Sequence, residues 1–162
     1  MKKIIDLTHR YESYVSTAGW IENVLRHRPE AVESYIREAK DLGFDIIEIS
    51  TGFISLPTED LLRLVERVNK AGLKAKPEPG IQFGAGGATP SGELTAEGTH
   101  NAQWLITKAK ECLEAGAHMV MIESEGITEN VDKWRTDVIA EMFDALGPDK
   151  TMFEAADPEV FE

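Results

Sequence analysis

Four glutamates recur at one fixed place in the chain. Glu48 follows Gly43, Glu78 follows Gly72, Glu123 follows Gly116 and Glu154 follows Gly147, always 5 to 7 residues on. Each stands near the end of a short apolar run, where a carboxylate is costly unless a metal, a cation or a substrate meets it. Hard carboxylate oxygens suit Mg²⁺, which takes one or two of them together with water and substrate phosphate. Glu123 and Glu154 are the candidate metal ligands, and Glu48, Glu78 and Glu123 are the candidate catalytic acids. Lys76 joins them, two residues before Glu78, and Ser50, two after Glu48, is a candidate substrate contact. The plainer alternatives are a solvated rim of acids, or Lys74 and Lys76 pairing with glutamates as structural ion pairs.

The elements that must position these groups are legible in the spacing. Gly43-Phe-Asp-Ile-Ile-Glu-Ile-Ser-Thr-Gly is nearly continuous in β-branched residues between glycines, the pattern of a parallel strand buried on both faces. Strand alternation puts Ile47 and Ile49 on one face and Ile46, Glu48 and Ser50 on the other. The same parity groups Lys76 with Glu78, Met119 and Met121 with Glu123 and Glu125, and Met152 with Glu154. Helical patterns precede each glycine: Glu30–Asp41, Leu61–Ala71, Trp104–Ala115 and Val138–Leu146. Helix, glycine turn, strand and acidic end therefore repeat, which argues for βα units around a parallel sheet.

Flanking this repeat, residues 1–10 read as a helix with Ile4, Ile5 and Thr8 inward, and Glu12–Thr17 as a first strand. Thr58 is placed to cap the helix after Pro57, with Glu59 and Asp60 in its first turn. A helix is expected from Val131 to Leu146, and Asp157-Pro158 opens another. Residues 80–100 lack periodicity. Their glycines, including Gly84, Gly86 and Gly87, are able to present N–H groups to a phosphate, or else form a plain lid. Arg135 is a candidate contact for an anionic substrate, with an ordinary surface arginine as the alternative. The four histidines show no ligand spacing and read as structural or surface; the three tryptophans read as packing residues at helix starts.

Composition narrows the function classes. The chain has 162 residues, 42% hydrophobic and 28% charged, with a net charge of −12. So acidic a chain lacks the basic footprint of a nucleic-acid binder. Cys112 is the only cysteine, so no internal disulfide is possible and a reduced, cytoplasmic setting is expected. No apolar run is long enough to span a membrane. The fold predicted is α/β of the TIM (β/α)8-barrel type, one domain over residues 1–162 with about five βα units. A full barrel takes about 250 residues and eight units. Five parallel strands leave edges unpaired, so a homo-oligomer is expected, with loops that cover the edges as the alternative.

The ordered set Gly43-Phe-Asp-Ile-Ile-Glu-Ile-Ser-Thr-Gly, Glu78-Pro-Gly-Ile-Gln-Phe-Gly-Ala-Gly-Gly, Met121-Ile-Glu-Ser-Glu-Gly-Ile and Met152-Phe-Glu-Ala-Ala resembles the phosphosulfolactate synthase family. Within it, the similarity is greatest to the branch with the plant heat-stress-associated protein. The resemblance runs over essentially the whole chain. It implies a (β/α)8 barrel lacking the family's first two strands and its last, and a Mg²⁺-dependent addition of sulfite to phosphoenolpyruvate giving (R)-2-phospho-3-sulfolactate. It also implies that Glu22, Glu48, Glu78, Glu123 and Glu154 match acidic strand-end positions. At two places this chain departs from the synthase-type pattern: Pro79-Gly80-Ile81-Gln82 offers no lysine, and Ser124-Glu125 stands where arginine is usual. Two rival readings accompany it, a non-catalytic stress-protection protein and a lyase or isomerase acting on another phospho-enol or sulfonate substrate.

Overall fold

Three helices end in the same way, and that ending aims three strands in one direction. After Ala39 and Lys40 the chain turns through Gly43 at φ 98°, where the N–H of Gly43 reaches the Lys40 carbonyl (2.9 Å) and that of Phe44 the Ala39 carbonyl (3.0 Å). Only glycine adopts that left-handed geometry without strain, so the closing residue is dictated. Gly72 and Gly116 repeat the turn. The computed structural model describes residues 1–50, 54, 56–79, 102–124, 126–129, 131–155 and 158–161.

In chain order these comprise α1 (Lys2–Arg10), α2 (Trp20–His27), α3 (Val32–Leu42), β1 (Ile46–Ile49), α4 (Thr58–Lys70), β2 (Lys74–Pro77), α5 (Gln103–Glu114), β3 (Val120–Ile122), α6 (Thr136–Leu146) and β4 (Thr151–Phe153). Short 3-10 turns precede α3 and β4 and close the described chain at Pro158–Phe161. The fold is mixed α/β with parallel strands: β1 pairs with β2 and β3 with β4, each in parallel. A backbone bond from His118 N–H to the Ala75 carbonyl (2.8 Å) carries the line from β2 toward β3. Among the described residues the sheets are two-stranded and no closed barrel is formed.

Helices cover one face of these strands. Ile47, Ile49, Ala75, Val120 and Ile122 bury against Val32 and Ile36 of α3, Leu61 and Val65 of α4, Leu105 and Ala109 of α5 and Met142 of α6. Burying such side chains is worth about 1.5–3 kcal/mol each. Ile46 and Met121 are buried but belong to the opposite face, outside that cluster, as strand alternation requires. Cys112 packs within the core, and burial pushes its thiol up to about 12, which makes it a structural residue.

Several local expectations are corrected. The segment 12–17 is not a strand: it contracts to one parallel bridge, Ser16 to Ile46, because the chain leaves α1 through a turn with Glu12 at φ 55°. Four strands are therefore described, not five. Ile4 is 67% exposed; Ile5 alone is buried, facing the space beside Gly43 that no side chain fills. Thr58 does not cap α4, since Pro57 occupies the cap position and no side-chain cap bond forms. The helix expected from Val131 begins at Thr136, because the Ile127 and Thr128 N–H groups are held on the Ser124 carbonyl (2.9 Å each) and Arg135 N–H on the Ile127 carbonyl (2.8 Å). Trp20, Trp104 and Trp134 are 65%, 45% and 40% exposed and are not core packing. Pro158 opens a 3-10 turn; Asp157 lies outside the described residues.

The two ends of the strands differ in charge. At the N-terminal end Lys74 lies 3.3 Å from the Tyr14 ring centroid, and Tyr14 meets His118 edge to face at 6.0 Å. Burial and the nearby Lys74 and Lys150 lower the His118 pKa, and His9 is paired with Asp45 at 2.8 Å. Both histidines are thus accounted for structurally, at the end opposite the glutamates.

Candidate active site

The site is built where the strands run out. In the β1–β2 register Glu48 faces Lys76, and the Lys76 ammonium sits 3.0 Å from Glu48 Oε2 with both side chains nearly dry, 7% and 12% exposed. Lys76 also points its Nζ toward Met152 Sδ at 3.9 Å, so it links Glu48 of β1 to β4. Glu78 follows β2 and is held by its N–H on the Ile49 carbonyl (3.0 Å); Glu154 follows β4, held likewise on Ile122 (2.8 Å).

The carboxyl groups are linked to one another. Ser50 Oγ donates to Glu22 Oε2 at 3.4 Å, and Glu78 makes side-chain hydrogen bonds to both Ser50 and Glu123. Glu123 in turn bonds Glu154. Carboxyls hydrogen-bonded to each other need a proton between them, since two carboxylates only accept. The electrostatics agree. Burial is the main cause that raises the Glu78 pKa, and the charges of Glu154 and Glu48 push the same way against its hydrogen bonds to Glu123 and Ser50. Glu154 is pushed up to about 7, first by burial and then by its bond to Glu123 and that residue's charge, with Lys76 opposing. Glu154 is an exposed residue, so water screens part of this effect.

The remaining candidates fare differently. Ser50 is in the site, 9% exposed, and Glu22, 5% exposed, backs it. The guanidinium of Arg135 is clamped by Asp137, with Nε to Oδ1 at 2.9 Å and Nη2 to Oδ2 at 2.8 Å. It is therefore engaged in a local ion pair. Gly84, Gly86, Gly87 and Glu125 lie outside the described residues.

Three further residues shape the site without a signal in the sequence pattern. Thr17 Oγ1 accepts the Glu48 N–H at 3.0 Å and so fixes the strand that carries the acid. Gly19 packs against the site so closely that a Cβ would lie 2.8 Å from Ser50 Cβ and 3.4 Å from Glu48 Oε1; any side chain there would force the backbone away. Glu129 accepts from Ser124 Oγ at 2.7 Å and adds its charge to those raising Glu154.

Among the described residues no group of three or more His, Cys, Asp or Glu is placed to hold a metal ion. The chemistry of the donor set nevertheless fits a hard divalent cation: oxygen ligands only, more acid than Lys76 balances, and Glu78 and Glu154 with pKa values raised first by burial and then by the charge of neighbouring glutamates. Among the described residues no helix is long and apolar enough to cross a membrane.

Comparison with known proteins gives the chain's family. The family described as (2R)-phospho-3-sulfolactate synthase (ComA) matches residues 1–162. Protein HEAT-STRESS-ASSOCIATED 32 of Arabidopsis thaliana is 37% identical over 172 residues, covering 100% of this chain and 60% of that protein. Phosphosulfolactate synthase of Methanothermobacter thermautotrophicus is 26% identical over 161 residues, covering 96% of this chain and 58% of that enzyme. The chain thus spans 60% and 58% of the length of these curated relatives.

Proposed function

This chain belongs to the (2R)-phospho-3-sulfolactate synthase family, and from that premise we propose that it carries phosphosulfolactate synthase-like chemistry, the Mg²⁺-dependent addition of sulfite to phosphoenolpyruvate. The observation that carries the reading is the convergence of Glu48, Glu78, Glu123 and Glu154 around Lys76 at the C-terminal ends of parallel strands. That is where parallel α/β enzymes place their chemistry. The proposed fold is a stretch of (β/α)8-barrel wall. It is supported by the parallel pairing of the strands and by the helices that pack on the face carrying Ile47, Ile49, Ala75, Val120 and Ile122.

In the proposed reaction the sulfite sulfur lone pair attacks the methylene carbon of phosphoenolpyruvate, the double bond gives way, and a proton is delivered to C2; no other bond breaks. Lys76 supplies the positive charge that draws an anionic substrate to an acidic mouth. Glu78, whose pKa burial raises and which hydrogen-bonds to Glu123, stands as the proton source. Glu123 and Glu154 would hold Mg²⁺, which when bound draws electron density from the substrate carboxylate. Ser50 bonds to Glu22 and Glu78 and orients the acids.

Calorimetry tests the metal role. Mg²⁺ alone should bind weakly and more tightly with phosphoenolpyruvate present, and Glu123→Gln should weaken that affinity about tenfold or more. Unchanged affinity in the variant would return Glu123 to a structural role. A second reading, a stress-protection protein without catalysis, is favoured by the 37% identity to a heat-stress-associated protein. Association with a second copy is part of the proposal, supported by the exposed apolar series Ile4, Leu7, Tyr11 and Tyr14. Sedimentation at micromolar concentration checks it, and a monomer there would rule it out.

A further inference from the structure

Tyr35 stands in α3, and its half-buried ring packs against the core. Its hydroxyl oxygen is buried, and among the described residues it makes no aligned hydrogen bond. A buried hydroxyl left in that state costs stability, and phenylalanine would fill the same space without the cost. Folding alone therefore does not ask for tyrosine at this position.

What the hydroxyl meets points to the glutamate mouth. Burial raises the Tyr35 pKa, the Thr17 hydroxyl beside it opposes that rise, and the charge of Glu48 adds to it. The contact with Thr17 is close enough to act on the phenol but is not aligned as a full hydrogen bond. Thr17 is itself 7% exposed and is bound to β1 at two points. Its N–H donates to the Ile46 carbonyl at 3.0 Å, and its Oγ1 accepts the Glu48 N–H at 3.0 Å. Beyond Glu48 the line continues to a buried cation, since Glu48 Oε2 lies 3.0 Å from the Lys76 ammonium. The other carboxylate oxygen, Oε1, faces Gly19, where a Cβ would lie 3.4 Å from it. One chain of contacts thus runs from Tyr35 on α3 through Thr17 and β1 to Lys76 on β2.

We propose that Tyr35 is a positioning residue for the glutamate mouth: through Thr17 it holds the end of β1 that carries Glu48, and so keeps Glu48 on Lys76. The inference rests on the reading of that mouth as the reactive site, and adds a residue that acts only through others. A threonine hydroxyl has two lone pairs and one proton, so Thr17 can serve the Glu48 N–H and the phenol together. Contact with the phenol holds the Thr17 side chain in the rotamer that presents Oγ1 to Glu48.

The test compares Tyr35→Phe with the parent, both as the full chain, by three measurements. Urea unfolding should give a midpoint equal to or above the parent's, since only an unaligned hydroxyl is lost. The NMR resonance of the Lys76 ammonium should shift, and its hydrogen exchange should quicken about tenfold. With Mg²⁺ and sulfite, KM for phosphoenolpyruvate should rise about tenfold with a smaller change in kcat, because Lys76 draws the anion. Thr17→Val should move the Lys76 resonance in the same way, and adding Tyr35→Phe to it should change nothing further. A marked fall in the urea midpoint of Tyr35→Phe would make the hydroxyl a structural group and overturn the proposal. An unmoved Lys76 resonance, effects that add in the double variant, or an unchanged KM against an active parent would overturn it equally. A parent without turnover would sink the synthase reading alone; the Lys76 resonance and the Thr17→Val cycle then decide for Tyr35.

Discussion

Lys76→Met is expected to destabilise the protein by about 3–5 kcal/mol, the cost of stripping one partner from a buried ion pair. Lys76 is 5% exposed and its ammonium lies 3.0 Å from Glu48, whose side chain is 12% exposed. It also counters the charge of Glu154. Methionine keeps the apolar stem and removes only the charge, so the loss reports the uncompensated acids and not a cavity. Urea unfolding measures it through the midpoint at unchanged slope. The double variant Glu48→Gln with Lys76→Met should recover most of the loss, because replacing both partners of a buried pair is close to neutral. A single-variant loss under about 1 kcal/mol would place the pair with solvated surface bridges.

Glu78→Gln is expected to divide stability from activity. Glu78 is 1% exposed and its pKa is raised, chiefly by burial. A carboxyl whose folded pKa lies above its unfolded value holds its proton better when folded. Its contribution is therefore full below the unfolded pKa and lost as pH rises through the folded one. Glutamine keeps the shape and removes the titration. The variant should match the parent near pH 4 and exceed it in stability near pH 8, read by urea unfolding at both. If Glu78 supplies the proton in the proposed reaction, the same change should lower the rate by about 10²–10⁴-fold. Equal stability at the two pH values would show that Glu78 is better solvated than its burial implies, and an undiminished rate would remove it from the chemistry.

The acidic strand ends were readable because two rules act together. A glycine in the left-handed conformation closes α3, α4 and α5 and fixes where each strand begins, and the two-residue period then fixes which face Glu48, Glu78, Glu123 and Glu154 take. Helical spacing likewise groups Val32, Tyr35, Ile36 and Ala39 on one side of α3, where Val32, Ile36 and Ala39 are buried and Tyr35 is half-buried. Partnership was not readable. That Lys76 pairs with Glu48 depends on the register between β1 and β2, which no local pattern encodes. Gly19 lies beside Ser50 through a contact between residues 31 positions apart, and the sequence around Gly19 shows only a turn. The exposed tryptophans and the single bridge at Ser16 failed for a related reason. Aromatic and β-branched residues announce burial only when another layer comes to cover them. Segment 131–135 reads as helix, but its backbone is held by Ile127.

The central claim is that these acids, with Lys76, add sulfite to phosphoenolpyruvate. It is tested most directly by following phosphorus NMR of the protein incubated with phosphoenolpyruvate, sulfite and Mg²⁺. The account predicts loss of the phosphoenolpyruvate resonance and growth of one phosphate-ester resonance, dependent on both sulfite and Mg²⁺ and abolished in Glu123→Gln. Phosphoenolpyruvate that stays intact with a folded protein and both reactants present would contradict it and leave the non-catalytic reading in its place.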